Sequence, residues 1–314
     1  MTGWEDECVI RTRCIDRSYR FVVVKRVMII GNPVAGTGRA ERSIVELEEA
    51  LRRRGCGVET FRTKARGEAV ELARRVDADV DCLVVAGGDG TIHETVNGLA
   101  DPARTPMAIL RVGTANILAK DLEIPESAES LADLIVRGKT RRLDLGLLGT
   151  GTRFLMVVSC GFDAAVIRSI HENRRSRGGA WGYPLPILRT MARYRVPHLC
   201  VQVDGAAPIE GAMVVIANTR TYAGIMSVAD RALPDSGHFD VVVFPRGSVR
   251  SLLHYAWASW RRRVSQLQEV AYVTGASVRI ESQHETDVEV DGEYYGTAPV
   301  DMKLQPGAVP VVVP

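Results

Sequence analysis

The sequence predicts two domains, an α/β domain with a mostly parallel sheet and glycine-rich loops, followed by a β-rich domain of antiparallel, sandwich-like type. Three observations carry this prediction. In the first half, apolar strands alternate with amphipathic helices, and several strands run directly into glycine turns. In the second half, short β-type stretches dominate and helical segments are sparse. A chain of 314 residues, 46% of them hydrophobic, is long enough to bury a core in both domains.

The first half alternates strands and helices at regular spacing. The predicted strands and helices, in chain order, are strand 27–30, helix 40–54, strand 58–61, helix 68–76, strand 81–86, a helix from 91 and strand 107–111. Ile44, Leu47 and Leu51 form one face of the first helix, and Gly55 provides its C-terminal stop. Strands separated by such helices pair in parallel and bind ligands at their carboxyl ends.

The pattern changes near residue 141. The predicted strands that follow are 142–148, 154–160, 199–203, 213–218, 239–244, 270–274, 278–281 and 288–291. Such a run of short strands is typical of an antiparallel sandwich or barrel, here interrupted by helical insertions at 164–195 and 248–264. We therefore divide the chain into an irregular leader, an α/β domain and a β-rich domain whose last residues pack back on the first. Their ranges are 1–25, 26–140 and 141–314.

The composition excludes several classes of function. A net charge of +2, from 40 basic and 38 acidic residues, gives no overall field for binding nucleic acid. No apolar run reaches the roughly 18 residues of a membrane span, and the start of the chain lacks a signal-peptide core. The six cysteines form no Cys-x-x-Cys pair, which fits a reducing compartment. We expect a cytoplasmic protein, soluble or peripheral at a membrane.

The segment from residue 82 to 98 is the strongest chemical signal. An apolar strand leads into Gly87, Gly88 and Gly90, and a helix follows from Thr91. Such glycines let backbone N–H groups approach an anion, and the helix start adds its positive dipole end. Asp89 would repel a bare polyphosphate, but with Mg²⁺ between them it becomes a ligand or an orienting group. The corner therefore indicates phosphoryl transfer.

Two further glycine turns follow predicted strands. The segment 32–39 lacks the Gly-Lys-Ser/Thr of a P-loop, so its plain alternative is an ordinary strand-to-helix turn. The segment 112–116 adds a hydroxyl and an amide in Thr114 and Asn116. Because the carboxyl ends of parallel strands meet at one edge, we expect the three turns to converge on one site.

At these residues the chain resembles the diacylglycerol kinase catalytic-domain family, which includes sphingosine kinases and many bacterial lipid kinases, over about residues 26–310. The matching motifs are Asn32 to Gly36, Thr63, Gly87 to Thr91 with Glu94, Asn97 and Gly98, Gly113 to Asn116, Gly161 to Ala164, Asn218, and Asp291 to Glu293. The resemblance implies an ATP- and Mg²⁺-dependent enzyme that phosphorylates a lipid hydroxyl. It implies an ATP site formed by Asn32, Pro33, Gly36, Thr63, Gly87, Gly88, Asp89, Gly90, Thr91, Ile92, His93, Glu94, Gly113, Thr114 and Asn116.

The resemblance also implies the catalytic groups. Glu293 is the expected general base, since a partly desolvated carboxylate can take the proton of a lipid hydroxyl. Asp89 is the expected ligand of the catalytic Mg²⁺ and the alternative proton acceptor. Asp291 and Gly292 also form a typical type I′ hairpin pair, and a turn and a catalytic residue can coexist there. His93 replaces the asparagine of bacterial members, and a plain helix-face role is favoured for it over catalysis.

Some positions depart from the family pattern. Arg111 stands where a proline precedes the third glycine motif. Relatives can hold a structural Mg²⁺ at the positions of Leu233, Ser236 and His238, and Ser236 replaces the aspartate of that site, which argues against this metal.

The expected partners are a lipid substrate and a membrane surface, with a homodimer left open. Basic and aromatic residues mix in 171–195 and again in 248–263, a composition that suits an anionic membrane. For the second of these segments, packing of a helix on the sheet is the favoured interpretation. The alternatives to a diacylglycerol kinase-like enzyme are a sphingoid-base kinase, an NAD kinase and a non-catalytic lipid-binding regulatory relative.

Overall fold

The protein forms two β-sheets in a computed structural model that describes residues 19–36, 38–173, 187, 190–191, 194–222 and 226–314. Most of the predicted leader and most of the basic segment 171–195 lie outside these residues. In the part of the chain that the structure describes, no helix combines the length and the apolar character needed to cross a bilayer.

The first half contains a parallel sheet covered by helices. The strands of this half are β1 (Tyr19–Phe21), which pairs with a later strand, and the four parallel strands β2 (Arg26–Gly31), β3 (Gly57–Arg62), β4 (Cys82–Gly87) and β5 (Met107–Arg111). Its helices are α1 (Ala40–Arg53), α2 (Glu68–Ala73), α3 (Asp89–Gly98), α4 (Ile117–Asp121) and α5 (Ala128–Arg137). The parallel strands lie in the order β5-β4-β2-β3, so their carboxyl ends share one edge.

The second half is mostly β-structure. Its strands are β6 (Lys139–Leu148), β7 (Arg153–Phe154), β8 (Val157–Cys160), β9 (Leu199–Val203), β10 (Ile209–Gly211), β11 (Met213–Ala217), β12 (Phe239–Phe244), β13 (Ala271–Gly275), β14 (Ser277–Ser282), β15 (Asp287–Val290), β16 (Glu293–Thr297) and β17 (Val300–Val312). Two longer helices described here are α6 (Phe162–Asn173) and α7 (Val249–Trp260).

Among the described residues, six of these strands form an antiparallel sheet in the order β13-β12-β11-β8-β15-β16. The remaining strands of the second half join the first sheet. Strands β10, β9 and β14 are linked through β17 to β5, where Val311 pairs in parallel with Met107. The final strand therefore connects the parallel sheet with its antiparallel extension.

The two sheets enclose an apolar core between them. Phe154 and Phe239 stack there with ring centroids 5.4 Å apart, surrounded by fully buried residues of both sheets. A separate core lies between the parallel sheet and helices α1 and α5, which contribute Ile44, Leu47 and Leu131. Burial of such side chains, at roughly 25 cal/mol per Å² of apolar surface, is the main stabilising term for both layers.

The predicted fold class is confirmed, with an α/β first part and an antiparallel β-rich second part. Strands β1, β10, β16 and β17 and helices α4 and α5 were not predicted. Strand β1 lies within the predicted irregular leader and pairs with β6. The domain boundary at residues 140 and 141 stays a prediction.

Candidate active site

Four loops at the carboxyl ends of β2, β3, β4 and β5 line a cavity of about 440 Å³. The predicted site residues that line it are Asn32, Gly36, Thr63, Gly88, Gly90, Thr91, Glu94, Gly113, Thr114 and Glu293. The structure thus brings together residues of all three glycine motifs and the carboxylate of the later hairpin. Thr63 is held at the site because its N–H donates to the Gly31 carbonyl at 2.8 Å.

The loop after β2 is fixed by its own side chain and by a close neighbour. The N–H of Asn32 donates to the Ala86 carbonyl at 2.8 Å, and Asn32 Oδ1 accepts the N–H of Val34 at 3.2 Å. Gly36 has φ of +62°, and a Cβ there would lie 2.2 Å from the Val112 carbonyl oxygen. Only glycine fits this position, which packs the first loop onto the third.

The loop after β5 is closed by Asn116. Its Oδ1 accepts the N–H of Gly113 at 2.9 Å, and its Nδ2 donates to the Gly113 carbonyl at 2.8 Å. A Cβ on Gly113 would lie 2.3 Å from the Cα of Gly88, so the second and third glycine turns touch. The side chain of Asn116 therefore shapes the cavity without lining it.

Asp89 opens α3 but its carboxylate is engaged at another helix. Its Oδ1 accepts the N–H of Ile117, the first residue of α4, at 2.8 Å. Burial raises the pKa of Asp89, while backbone N–H groups of Ile117 and Leu118 act in the opposite direction. Asp89 thus joins the second and third glycine loops through the start of α4.

Glu94 connects α3 to the loop before α2. Its Oε1 accepts the N–H of Gly67 at 2.9 Å, and Gly67 itself has φ of +84°. Between Thr63 and Gly67 the chain carries Lys64 and Arg66, both of which line the cavity. These cations were not predicted as site residues, although two basic residues directly after a predicted ATP-contacting threonine are a readable signal.

Glu293 lies at the start of β16 and faces the glycine corner. A Cβ placed on Gly90 would lie 3.5 Å from Glu293 Oε1. The Glu293 carboxylate forms an ion pair with the guanidinium of Arg66, and His171 Nδ1 lies 3.9 Å from Glu293 Oε2. With 23% of its side chain exposed, the carboxylate is partly desolvated yet accessible from the cavity.

The hairpin that carries Glu293 turns at Asp291 and Gly292, with φ of +50° and +83°. This confirms the predicted type of turn. The Asp291 carboxylate accepts the backbone N–H groups of Leu155, Met156 and Val157 at 2.9 to 3.0 Å. The turn is therefore fastened to the segment that enters β8.

The buried side chain of Glu289 stabilises the same turn. Glu289 Oε2 accepts the N–H of Gly292 at 2.8 Å, and the residue is almost fully buried. Burial, followed by the charge of the nearby Asp163, raises the pKa of Glu289. Glu289 was not predicted, and its single acidic side chain in an alternating strand carries no distinctive sequence signal.

His93 contacts the hairpin and does not line the cavity. Its Nδ1 is 3.2 Å from Asp291 Oδ2, and its Nε2 is 3.5 Å from Asn97 Nδ2. Burial opposes the protonated ring, but the hydrogen bond and charge of Asp291, with Glu293 and Glu94 nearby, outweigh it and raise the pKa of His93.

The predicted site residues absent from the cavity lining have structural reasons. Asp89, His93 and Asn116 have the partners described above. Ile92 is buried in the core between sheet and helices, and a Cβ on Gly87 would lie 2.4 Å from the Thr91 side chain. Pro33 forms part of the turn after β2. Their roles in ATP binding stay predictions.

Comparison with known families identifies the family to which this chain belongs. Residues 26–148 match the model of the diacylglycerol kinase catalytic domain, and residues 156–313 match that of the YegS C-terminal NAD kinase beta sandwich-like domain. The chain belongs to the diacylglycerol kinase family. It is a lipid kinase, a phosphotransferase with an alcohol group as acceptor, so the family predicted from the glycine motifs is confirmed.

Similar proteins of this kinase family cover nearly the whole chain. A diacylglycerol kinase of Staphylococcus saprophyticus is 26% identical over 278 residues, which are 88% of this chain and 91% of the relative. One from Staphylococcus haemolyticus is 26% identical over 88% of this chain and 84% of the relative. A solved diacylglycerol kinase structure from Bacillus anthracis aligns with a TM-score of 0.75 at 25% identity, covering 92% of this chain and 97% of the other.

The structural Mg²⁺ implied for some relatives does not fit the residues of this kinase. Ser236 Oγ donates to the His238 carbonyl at 2.9 Å, and the neighbouring Asp235 forms an ion pair with Arg141. No cluster of three or more His, Cys, Asp and Glu side chains suited to a metal occurs among the described residues. An arginine therefore neutralises the carboxylate that a cation would need at Leu233, Ser236 and His238.

Proposed function

We propose that this lipid kinase transfers the γ-phosphoryl group of ATP, with Mg²⁺, to a hydroxyl of diacylglycerol or a related lipid. The observation that carries the proposal is the position of Glu293. A carboxylate from the second half of the chain opens into the same cavity as the glycine loops at four parallel strand ends. Such a cavity combines a phosphate site with a proton acceptor, which is what phosphorylation of an alcohol requires.

The proposed ATP site uses backbone groups and two cations. Gly88 precedes the ten-residue helix α3, so the positive end of its dipole and the backbone N–H groups of its first turn favour a phosphate. The loop residues Asn32, Gly36 and Thr114 are proposed to surround the nucleotide from the opposite wall. Lys64 and Arg66 add positive charge at the cavity lining.

The residues present fit a magnesium ion that arrives with ATP. Glu94 lines the cavity, and Asp89 lies in the adjoining loop. They belong to no ready-made cluster of three metal-binding side chains among the described residues, so the ion would be held by one or two carboxylates together with the phosphates of ATP, as is usual for Mg²⁺. We propose Asp89 and Glu94 as the groups that would hold it, directly or through water. The ion would supply neutralisation of phosphate charge.

Glu293 is proposed as the general base and Arg66 as the group that releases it. In the present arrangement Arg66 neutralises the Glu293 carboxylate. A polyphosphate in the cavity competes for the guanidinium, because Arg binds phosphate through charge-assisted hydrogen bonds. Glu293 then accepts the proton of the lipid hydroxyl as the lipid oxygen forms a bond to Pγ and the bond from Pγ to the β-bridging oxygen breaks, releasing ADP.

Asp89 remains the alternative proton acceptor. Its carboxylate is engaged by the N–H of Ile117 and does not line the cavity, which makes it a weaker candidate. The second candidate function is an NAD kinase, supported by the description of the sandwich domain that residues 156–313 match. A sphingoid-base kinase differs from the main proposal only in the acceptor.

The test is a transfer assay with labelled ATP and Mg²⁺ against mixed micelles of diacylglycerol, monoacylglycerol, sphingosine, ceramide, phosphatidylglycerol and undecaprenol, with NAD as a separate acceptor. We expect label in diacylglycerol or a close relative and none in NAD. Label in sphingosine alone would assign the sphingoid-base alternative. Label in NAD alone would overturn the proposed acceptor class.

A further inference from the structure

Helix α7 carries a second, outward-facing apolar surface. Val249, Leu253, Trp257 and Trp260 are 48%, 59%, 55% and 60% exposed. At about 100° per residue these four positions fall within an arc of roughly 80° on one side of the helix. Two exposed tryptophans in one stripe are unusual for a surface that faces only water.

Helix α7 packs on the antiparallel sheet through its opposite side. Tyr255 and Ala258 are buried against the outer face of the antiparallel sheet, and the ring centroids of Tyr255 and Phe244 lie 4.7 Å apart. Leu252, on the same side of the helix, is also buried. The packing that was favoured from the sequence is thus present on this side. This packing does not involve the exposed Val249, Leu253, Trp257 and Trp260, which we call the tryptophan stripe.

The sequence around the stripe is basic, although Glu269, just beyond it, lies 3.6 Å from His254 Nδ1 of the same helix. Between residues 245 and 268 the chain has no Asp or Glu, and its charged side chains are Arg246, Arg250, Arg261, Arg262 and Arg263. By the same helical step, Arg250 and Arg261 lie beside Trp257, at the margin between the stripe and the packed side. The Arg261 guanidinium lies 6.0 Å from the centroid of the Trp257 ring.

The basic margin continues onto the first half of the molecule. Arg262 lines a cavity of about 330 Å³ together with Lys120 of α4 and Arg220. Of the two acidic residues that line this cavity, Asp121 and Glu123, Asp121 is already engaged, since its carboxylate accepts the N–H groups of Arg220 and Thr221 at 2.8 and 3.0 Å. Cationic side chains from both halves therefore line the cavity that Arg262 borders, next to the C-terminal end of α7.

We infer that α7 docks this kinase onto an anionic lipid bilayer. Val249, Leu253, Trp257 and Trp260 enter the boundary between headgroups and acyl chains, where indole rings are favoured, and the arginines contact lipid phosphates. The inference deepens the proposed function, because an acceptor that is insoluble in water must be reached at a membrane. It specifies which surface makes that contact.

A second copy of the chain fits the stripe less well. Two such faces would bring their arginines against each other, and like charges at an interface oppose association. Four side chains also provide much less area than the roughly 800 Å² per partner of a standard interface. Charge complementarity therefore favours the anionic bilayer as the occupant.

The test measures vesicle binding directly, without ATP. Co-sedimentation with phosphatidylglycerol and phosphatidylcholine vesicles is compared with phosphatidylcholine alone, for the parent protein and for Trp257→Ser with Trp260→Ser. We expect binding that depends on phosphatidylglycerol and falls at least tenfold in the double variant. Arg261→Gln with Arg262→Gln should lower the affinity for these vesicles and reduce its salt dependence.

Val136→Ser and Arg42→Gln, on α5 and α1, are matched exposed controls that should bind as the parent does.

The outcomes separate this inference from the proposed function. Unchanged vesicle binding in the tryptophan variant would overturn the docking surface, whatever lipid the enzyme phosphorylates. Loss of vesicle binding by that variant supports the surface even if the parent phosphorylates no lipid in the panel. Activity on a dispersed short-chain diacylglycerol should be retained by the variant, which shows that it folds. A parent dimer that dissociates on the tryptophan substitutions, without vesicle binding, would make the stripe a contact between copies and overturn the inference.

Discussion

His93 Nδ1 and Asp291 Oδ2 lie 3.2 Å apart although the two residues are separated by 198 positions in the chain. His93 belongs to α3, whose first turn forms the proposed phosphate site, and Asp291 belongs to the hairpin that presents Glu293. The contact therefore ties the phosphate corner to the hairpin of the proposed base. The strength of this contact depends on the protonation of the partly buried His93 ring.

The first prediction concerns this dependence on pH. The pKa of His93 is raised in the folded protein, so protonation of His93 stabilises the folded state. This stabilisation is complete at pH values below the pKa of the unfolded state, about 6.5, and is lost as the pH rises through the higher pKa of the folded state. We expect His93→Gln to lower the free energy of unfolding by about 1–2 kcal/mol at pH 6 and by less at pH 8.5. Chemical denaturation across this range measures it. An identical loss at both pH values would contradict the charged contact, and His198→Gln, at an exposed site, is the control.

The second prediction tests the proposed base. Glu293→Gln keeps the size of the side chain but cannot take a proton, so kcat should fall by a factor on the order of 10²–10⁴. ATP affinity should change much less and should not fall, because the phosphate loops are untouched and Arg66 loses only a competing partner. Steady-state kinetics and nucleotide titration separate the two effects. A variant that loses only ATP binding would show that Glu293 acts at the nucleotide, and Glu49→Gln on α1 provides a matched surface control.

The third prediction concerns Asp89. An asparagine can still accept the N–H of Ile117, so Asp89→Asn should keep the fold. Since burial raises the pKa of Asp89, removal of its charge should leave stability at pH 7 equal to or above that of the parent. Activity should nevertheless fall by roughly 10²-fold or more if the charge acts on the metal and phosphates. Near-normal turnover would remove Asp89 from the magnesium site.

The fourth prediction tests the close approach of the first and third loops. A Cβ at Gly36 would lie 2.2 Å from the Val112 carbonyl oxygen, so Gly36→Ala must displace one of the two loops. ATP affinity should fall at least tenfold while the melting temperature changes little, as measured by isothermal titration and thermal unfolding. Gly38→Ala is the matched control, because Gly38 also has positive φ, at +84°, but a Cβ there meets nothing within 4 Å. Equal losses in both variants would point to backbone strain alone.

The sequence predicted the parallel sheet well because its strands are apolar and its helices amphipathic. Helix α5 was missed, although Ser127 caps its start by accepting the N–H of Ser130 at 3.4 Å and Gly138 ends it with φ of +66°. Strand β17 was missed for a different reason. Pro306 and Gly307 interrupt its pattern, and the structure accommodates them in a shift of register between Gln305 and Val309. A Pro-Gly pair normally indicates a turn.

In the candidate site, too, local features were predicted from the sequence and long-range contacts were not. The glycine loops were predicted from motifs that are local in sequence. The pairing of Arg66 with Glu293, across 227 positions, depends on how the second half of the chain lies against the first, and no local pattern encodes it. The position of His93 under Asp291 has the same origin. Helical periodicity places His93 on α3 but does not reveal what covers that face.

The position of β17 has a consequence for biosynthesis. The strand lies between β14 and β5 in the first sheet, so β5 receives this neighbour only when Val311 has left the ribosome. Until then the nascent nucleotide-binding half presents an open, apolar strand edge, the kind of surface that chaperones must shield. A premature stop before Val300 would therefore impair the half of the enzyme that is translated first.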